Sequence, residues 1–208
     1  MNKSCVVVGG GAHARVLMDA LLVSGLEVQG YTDFTPKQIR LHGKTITYLG
    51  TDEEFLGVPR NKETYFINGV GSIGNPEKRR EIFKRFKDAG CSFLTVIHPS
   101  AVVAKDVVLG EGVQVMAGAI IQTGSVLGNN IIVNTHASID HDCTIEDHVH
   151  IAPGVVLSGN VKVGEGAHIG TGASVIQEVH ILPGTLVKAG SVVLHSHSVT
   201  AEILRNDD

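Results

Sequence analysis

The sequence predicts an α/β domain over residues 1–95, an all-β parallel β-helix over residues 96–194, and a C-terminal tail over residues 195–208. Two observations carry the β-helix. Every sixth residue from Ile97 to Val193 is aliphatic, through Val115, Ile139, Ile151 and Ile169. The position two residues before each is small or β-branched, as at Ala101, Ala119, Ala137, Cys143 and Ala167. A fixed short period with β-branched residues and turn formers is the signature of stacked coils. Six residues make one strand and one turn, three such units make a triangular coil, and about five coils share one apolar column.

A third observation carries the N-terminal domain. Ser4 to Val8 is a continuous apolar strand, followed by Gly9-Gly10-Gly11-Ala12-His13-Ala14 and then Val16, Leu17, Ala20 and Leu21 at helical spacing. Gly25 ends that helix, and Glu27 to Tyr31 reads as a second strand closed by Asp33. Strand, glycine loop, helix, strand and acid make a Rossmann-like βαβ unit. Glycines let backbone N–H groups approach an anion at a helix N-terminus, so Gly9 and Gly11 are candidates for a nucleotide phosphate and Asp33 for its ribose.

A second buried-type strand, Tyr65 to Val70, leads to another glycine loop, Gly71-Ser72-Ile73-Gly74. Pro76 then opens a helix running to Ala89, with Gly90 as its cap. Ser92 to Ile97 reads as one further strand, and His98-Pro99 turns the chain into the repeat. About 95 residues provide half of a dinucleotide fold, with space for a mononucleotide rather than a nicotinamide dinucleotide beside its substrate, which argues against an oxidoreductase.

Composition excludes several classes. The net charge of −4 is unlike the basic balance of a nucleic-acid binder. The sequence contains no apolar run of the roughly 18 residues that span a bilayer, and its N-terminal apolar run is too short for a secretory signal. An aromatic share of 4% without Trp suits a narrow interior filled by Val, Ile, Leu and Ala. Cys5, Cys91 and Cys143 are odd in number and unpatterned, which predicts reduced thiols and a cytoplasmic protein.

The strongest catalytic candidate lies in Asn134-Thr135-His136-Ala137-Ser138-Ile139-Asp140-His141-Asp142-Cys143. His141 follows the inward Ile139 by two residues, so it sits at a corner of the triangle and points outward. Acyl transfer needs a base that takes a proton as the nucleophile attacks a thioester, and imidazole has a suitable pKa. An adjacent carboxylate can hold its tautomer, a role open to Asp142 or to its geometric rival Asp140. Gly159 lies one coil above His141, about 4.8 Å away, where a bare N–H could donate to a developing oxyanion. His150 precedes the inward Ile151 and faces outward, half a coil from His141, with His168 stacked above it. The two candidates therefore sit on different faces and would meet only where subunits pack.

A GGGAHA loop followed by hexapeptide repeats resembles the sugar acyltransferases that include sialic-acid O-acetyltransferases and nucleotide-aminosugar N-acetyltransferases. The resemblance runs to about Ser191 and implies a left-handed β-helix. It implies a homotrimer with active sites at subunit interfaces, acetyl-CoA as co-substrate and a nucleotide-linked amino sugar as acceptor, with no metal. Gly9, Gly11, His13 and Asp33 match its substrate-binding positions; His141 and Asp142 match its base and acidic partner. Gly159 matches a candidate oxyanion donor, and with His150 it is assigned to the acetyl-CoA site. Two departures stand out: Phe34 follows Asp33 where many members carry a second acid, and Leu194-His195-Ser196-His197-Ser198-Val199 replaces a Gly-x-Pro-Ala segment near the end of the CoA channel.

The favoured reading is N-acetylation of a nucleotide-linked 4-amino-4,6-dideoxy sugar for a surface glycan. O-acetylation of sialic acid or another sugar is the rival. A non-catalytic nucleotide-sugar binder and a three-histidine carbonic anhydrase, drawing on His136, His141, His148 and His150, are lesser alternatives.

Overall fold

The computed structural model describes residues 4–57 and 64–196. Its N-terminal sheet is β1 (Ser4–Val8), β2 (Glu27–Thr32), then β5 (Thr64–Asn68) and β6 (Ser92–Phe93), in the order β2-β1-β5-β6 and parallel throughout. A small hairpin, β3 (Arg40–Leu41) and β4 (Lys44–Thr45), and a capped short helix α2 (Asp52–Leu56) lie between β2 and β5. Alternation along β1 decides what packs where. Cys5 and Val7 join Leu17, Met18 and Leu21 of α1 (Ala12–Val23), while Val6 and Val8 join Ile82 and Phe86 of α3 (Glu77–Asp88).

Seventeen two-residue strands follow, from β7 (Val96–Ile97) to β23 (Val192–Val193). They form three parallel sheets, and pairing steps by one coil each time: Gln114 pairs with Val96 and Ile132, and His150 pairs with Ile132 and His168. The second residue of each strand points inward, so Val115, Ile121, Ile139, Ile151 and Ile169 form one buried column. Ile97 is 42% exposed because no coil lies beneath it. Cys143 takes the inward small position its place in the repeat requires.

The expected strand from Ser92 to Ile97 is two strands. Ser92–Phe93 completes the N-terminal sheet by pairing with β5 and Val96–Ile97 founds the β-helix by pairing with Gln114 and Val115 one coil on, with Leu94 and Thr95 between the two strands. The tail beyond residue 196 lies outside the described residues.

Corners need a left-handed backbone, mostly supplied by glycine, as at Gly118 (φ 68°) and Gly124 (φ 73°). Asn130, His136, Asp142, His148, Asn160 and Glu178 take the same conformation despite its cost for an L-residue. The three sheets have different fates. The N-terminal domain covers the face carrying Gln114, Ile132, His150 and His168. The other two are open to solvent: a bare face carrying Val102, Ile120, Ser138, Val156, Ser174 and Val192, with its three valines exposed, and a third face whose Val108, Val126, Thr144, Lys162 and His180 are all exposed.

Candidate active site

A cleft of about 710 Å³ opens where the N-terminal domain meets the β-helix. Gly9, Gly10, Gly11, His13, Asp33, His150 and His168 line it, together with Asn134, Thr135 and Thr171 of a β-helix corner. Gly9 is in the left-handed region at φ 96°. A Cβ on Gly10 would lie 2.7 Å from the Tyr31 ring, whereas one on Gly11 would meet nothing within 4 Å. Gly10 is therefore demanded by packing, and Gly11 leaves space on the cleft side. No side chain caps α1 and no acid lies in its first turn, so the first amides of the helix face the cleft without a side-chain partner.

Asp33 is engaged with its surroundings. Its Oδ2 accepts from the Gly10 amide at 2.8 Å and from Lys37 Nζ at 2.6 Å, and Oδ1 accepts from the Phe34 amide at 2.7 Å. Its pKa lies below the usual carboxylate value: burial, the largest influence, opposes ionisation, but the bonds from Lys37 and Gly10 outweigh it. Asp33 thus fastens the glycine loop as well as facing the cleft.

His13 and His150 are both pinned. Gln114 Nε2 donates to the Asn68 carbonyl, so Gln114 Oε1 is the acceptor 2.7 Å from His13 Nε2, and that nitrogen carries the proton. Burial holds His13 below its ordinary pKa. His150 Nδ1 donates to the Ser72 carbonyl at 2.6 Å, and Asn134 Nδ2 donates to its Nε2 at 3.2 Å. His150 is only 7% exposed. Burial, helped by His168, pulls its pKa to about 3, so the ring is neutral. The sequence places His150 on an outward face; the structure turns that face onto the second glycine loop of the same chain. Its Nδ1 is used there and its Nε2 by Asn134 of the β-helix, and within one chain it shares the cleft with Gly11 and Asp33 rather than a site with Gly159.

His141, Asp142 and Gly159 form a separate group at another corner. His141 Nδ1 lies 2.9 Å from Asp142 Oδ2, and the His141 amide donates to Asp140 Oδ1 at 2.8 Å. Asp142 therefore takes the ring and Asp140 the backbone. The Asp142 bond is the main cause of a raised His141 pKa. Asp142 reaches this position from a left-handed backbone at φ 58°. The His141 ring lies so close over Gly159 that any Cβ there would collide with Cε1 and Nε2. The Gly159 amide donates no hydrogen bond among the described residues. A protonated Nδ1 held by a carboxylate leaves Nε2 as a basic nitrogen beside a bare N–H, which is the equipment for acyl transfer.

The bare face separates the two groups. Cleft residues Asn134, Thr135 and Pro153 border one of its edges, and His141 and Asp142 form the other. Among the described residues no group of three or more His, Cys, Asp or Glu side chains is arranged to hold a metal ion. Sequence spacing did not single out Ser72 or Gln114, whose parts depend on contacts across the two domains, or Lys37 and Lys78, which meet Asp33 and Phe34 within the N-terminal domain. The bare Lys-Asp spacing at Asp33 and Lys37 was the one available signal.

Residues 4–86 match the family model described as the PglD N-terminal domain. A UDP-N-acetylbacillosamine N-acetyltransferase of Bacillus subtilis (strain 168) is 38% identical over 120 residues, covering 55% of this chain and 52% of that protein. A GDP-perosamine N-acetyltransferase of Escherichia coli O157:H7 is 29% identical over 100 residues, covering 48% of this chain and 43% of that protein. The chain thus spans about half the length of the curated relatives it matches. The acetyltransferase domain of PglB from Neisseria gonorrhoeae FA1090, solved in complex with acetyl coenzyme A, is 33% identical with a TM-score of 0.85, covering 94% of this chain and 93% of that one. PerB from Caulobacter crescentus, solved in complex with CoA and GDP-perosamine, is 37% identical with a TM-score of 0.82, covering 93% and 89%.

Proposed function

Since the chain belongs to the hexapeptide-repeat sugar N-acetyltransferase family, we propose that it moves the acetyl group of acetyl-CoA onto the amine of a nucleotide-linked amino sugar. The observation that carries the reading is the division of labour between two half-sites: a glycine-loop cleft suited to a nucleotide, and an exposed His141–Asp142 pair over Gly159. The relatives that bind GDP-perosamine and acetyl-CoA supply the two ligand classes. A 4-amino-4,6-dideoxy sugar is the acceptor this reading favours.

In the reaction, the sugar amine attacks the thioester carbon while His141 Nε2 accepts a proton from nitrogen. Asp142 keeps the proton on Nδ1 and stabilises the imidazolium. The Gly159 N–H donates to the carbonyl oxygen as it becomes an oxyanion. Collapse of that intermediate breaks the C–S bond, and the imidazolium returns its proton to the departing CoA sulfur. Gly9, Gly11, His13 and Asp33 hold the nucleotide end, and His150 shapes the cleft floor on the acetyl-donor side.

Because the bare face stands between the half-sites of one chain, a second copy must supply the missing half. We assign the active sites to the interfaces of a homotrimer packed through that face, whose exposed valines favour burial. No helix of the described residues is long and apolar enough to cross a membrane, and a reaction that draws on acetyl-CoA supports a cytoplasmic setting. Purified protein with acetyl-CoA should release CoA thiol on a UDP-, dTDP- or GDP-linked 4-amino-4,6-dideoxy sugar and yield the N-acetyl product by mass spectrometry. Release on sialic acid alone, with none of the amino sugars turned over, would establish O-acetylation instead.

A further inference from the structure

Phe34 is 71% exposed, an unusual state for a large aromatic ring, and it lies at the rim of the cleft directly after the loop-fastening Asp33. Its backbone is not loose. The Phe34 amide donates to Asp33 Oδ1 at 2.7 Å, Tyr48 Oη donates to the Asp33 carbonyl at 3.0 Å, and the Lys37 amide donates to Tyr31 Oη at 2.7 Å. Lys78 Nζ, from α3, stands 5.6 Å from the ring centroid. A second bare apolar side chain, Ile73, is 93% exposed on the other glycine loop and lines the same cleft. The strands leading to Phe34 and Ile73 flank β1, which separates them by about 9–10 Å.

Resting on the nucleotide-sugar reading above, we propose that Phe34 is the stacking platform for the nucleobase, with Ile73 as the facing jaw and Lys78 holding the ring in place. Large apolar groups left exposed at the rim of a cleft mark a surface that a ligand covers. The phosphates belong at the uncapped start of α1, so a base projecting from the ribose reaches the end of β2, where Phe34 stands. The braced loop presents the ring in advance, so little ordering is needed on binding. Stacking reads the face of a base and not its edge, so this platform supplies affinity to every base that enters.

Calorimetric titration without CoA tests this, using UDP, dTDP, GDP and inorganic pyrophosphate against wild type, Phe34→Ala and Phe34→Tyr, each checked for an unchanged melting temperature. Phe34→Ala should weaken whichever diphosphate binds by about 5- to 150-fold, the range for one aromatic–base stack. Pyrophosphate affinity should be unchanged, and Phe34→Tyr should bind as wild type does. Equal nucleotide affinity in wild type and Phe34→Ala overturns the platform and leaves the nucleotide-sugar reading standing. Parallel loss of pyrophosphate and nucleotide would show collapse of the loop and also overturn it. Failure of wild type to bind any of the three nucleotides removes the underlying reading and the platform with it.

Discussion

At the level of single residues, His141 and Asp142 divide two tasks that free histidine cannot combine. The carboxylate raises the imidazole pKa and leaves Nε2 as the only basic nitrogen. A base must be neutral to accept a proton, so kcat should rise with pH through an apparent pKa above the ordinary histidine value of 6.5. Asp142→Asn should move that limb to lower pH and reduce kcat, while His141→Asn should lower kcat by about 10²–10⁴-fold with nucleotide affinity intact. A steady-state pH profile beside a binding titration checks both. An unmoved limb in Asp142→Asn would remove Asp142 from the mechanism. The pair was readable in the residues because adjacency in the chain is adjacency in space at a corner. Which acid takes the ring was not readable, since it depends on the left-handed backbone at Asp142.

At the level of elements, α3 is bolted to the β-helix by a buried cation. Arg79 is 1% exposed, and its guanidinium donates to the carbonyls of Asn130 and His148, two corner residues in the left-handed conformation, and to Val149 O at 3.4 Å. Asn68 adds a second tie, donating to the Arg79 carbonyl at 2.8 Å and to Asn130 Oδ1 at 3.3 Å. Arg79→Ala would leave a cavity and strand those carbonyls, costing roughly 2–4 kcal/mol. Urea unfolding should show this loss, and proteolysis should cut the N-terminal domain sooner. A variant as stable as wild type would mean that apolar packing alone holds the junction. The helix was legible from Pro76 and Gly90, but the role of Arg79 was not, because nothing in its own segment marks it as buried.

At the level of the whole molecule, the junction is built with neutral histidines. His148 is pulled to about 4 and His150 to about 3, in both cases by burial first, and His13 and His168 are also lowered. Unfolded histidines take protons near pH 6.5 and these folded ones do not, so stability present above 6.5 is lost as pH falls toward the folded values. His150 alone should contribute about 1.4 kcal/mol of loss per pH unit in that window. Thermal unfolding between pH 7.5 and 5 should show a steep decline that His150→Gln makes shallower; an identical slope would place the acid sensitivity elsewhere. The bare face makes a further prediction. Val156→Lys should give monomers by analytical ultracentrifugation and abolish turnover while nucleotide diphosphates still bind. An active, associated Val156→Lys protein would exclude that face as the subunit contact.

The six-residue period was enough to establish the coil, its inward column and the outward corner position of His141, because these follow from local spacing along a regularly wound chain. The glycine loop was equally local. The fate of each outward face was decided only in three dimensions. Docking of the N-terminal domain brings Ser72 to His150 across 78 residues and His13 to Gln114 across 101, so one histidine column becomes a cleft wall and an identical repeat elsewhere stays bare. Periodicity records which side chains point outward; only packing between distant segments determines what they meet.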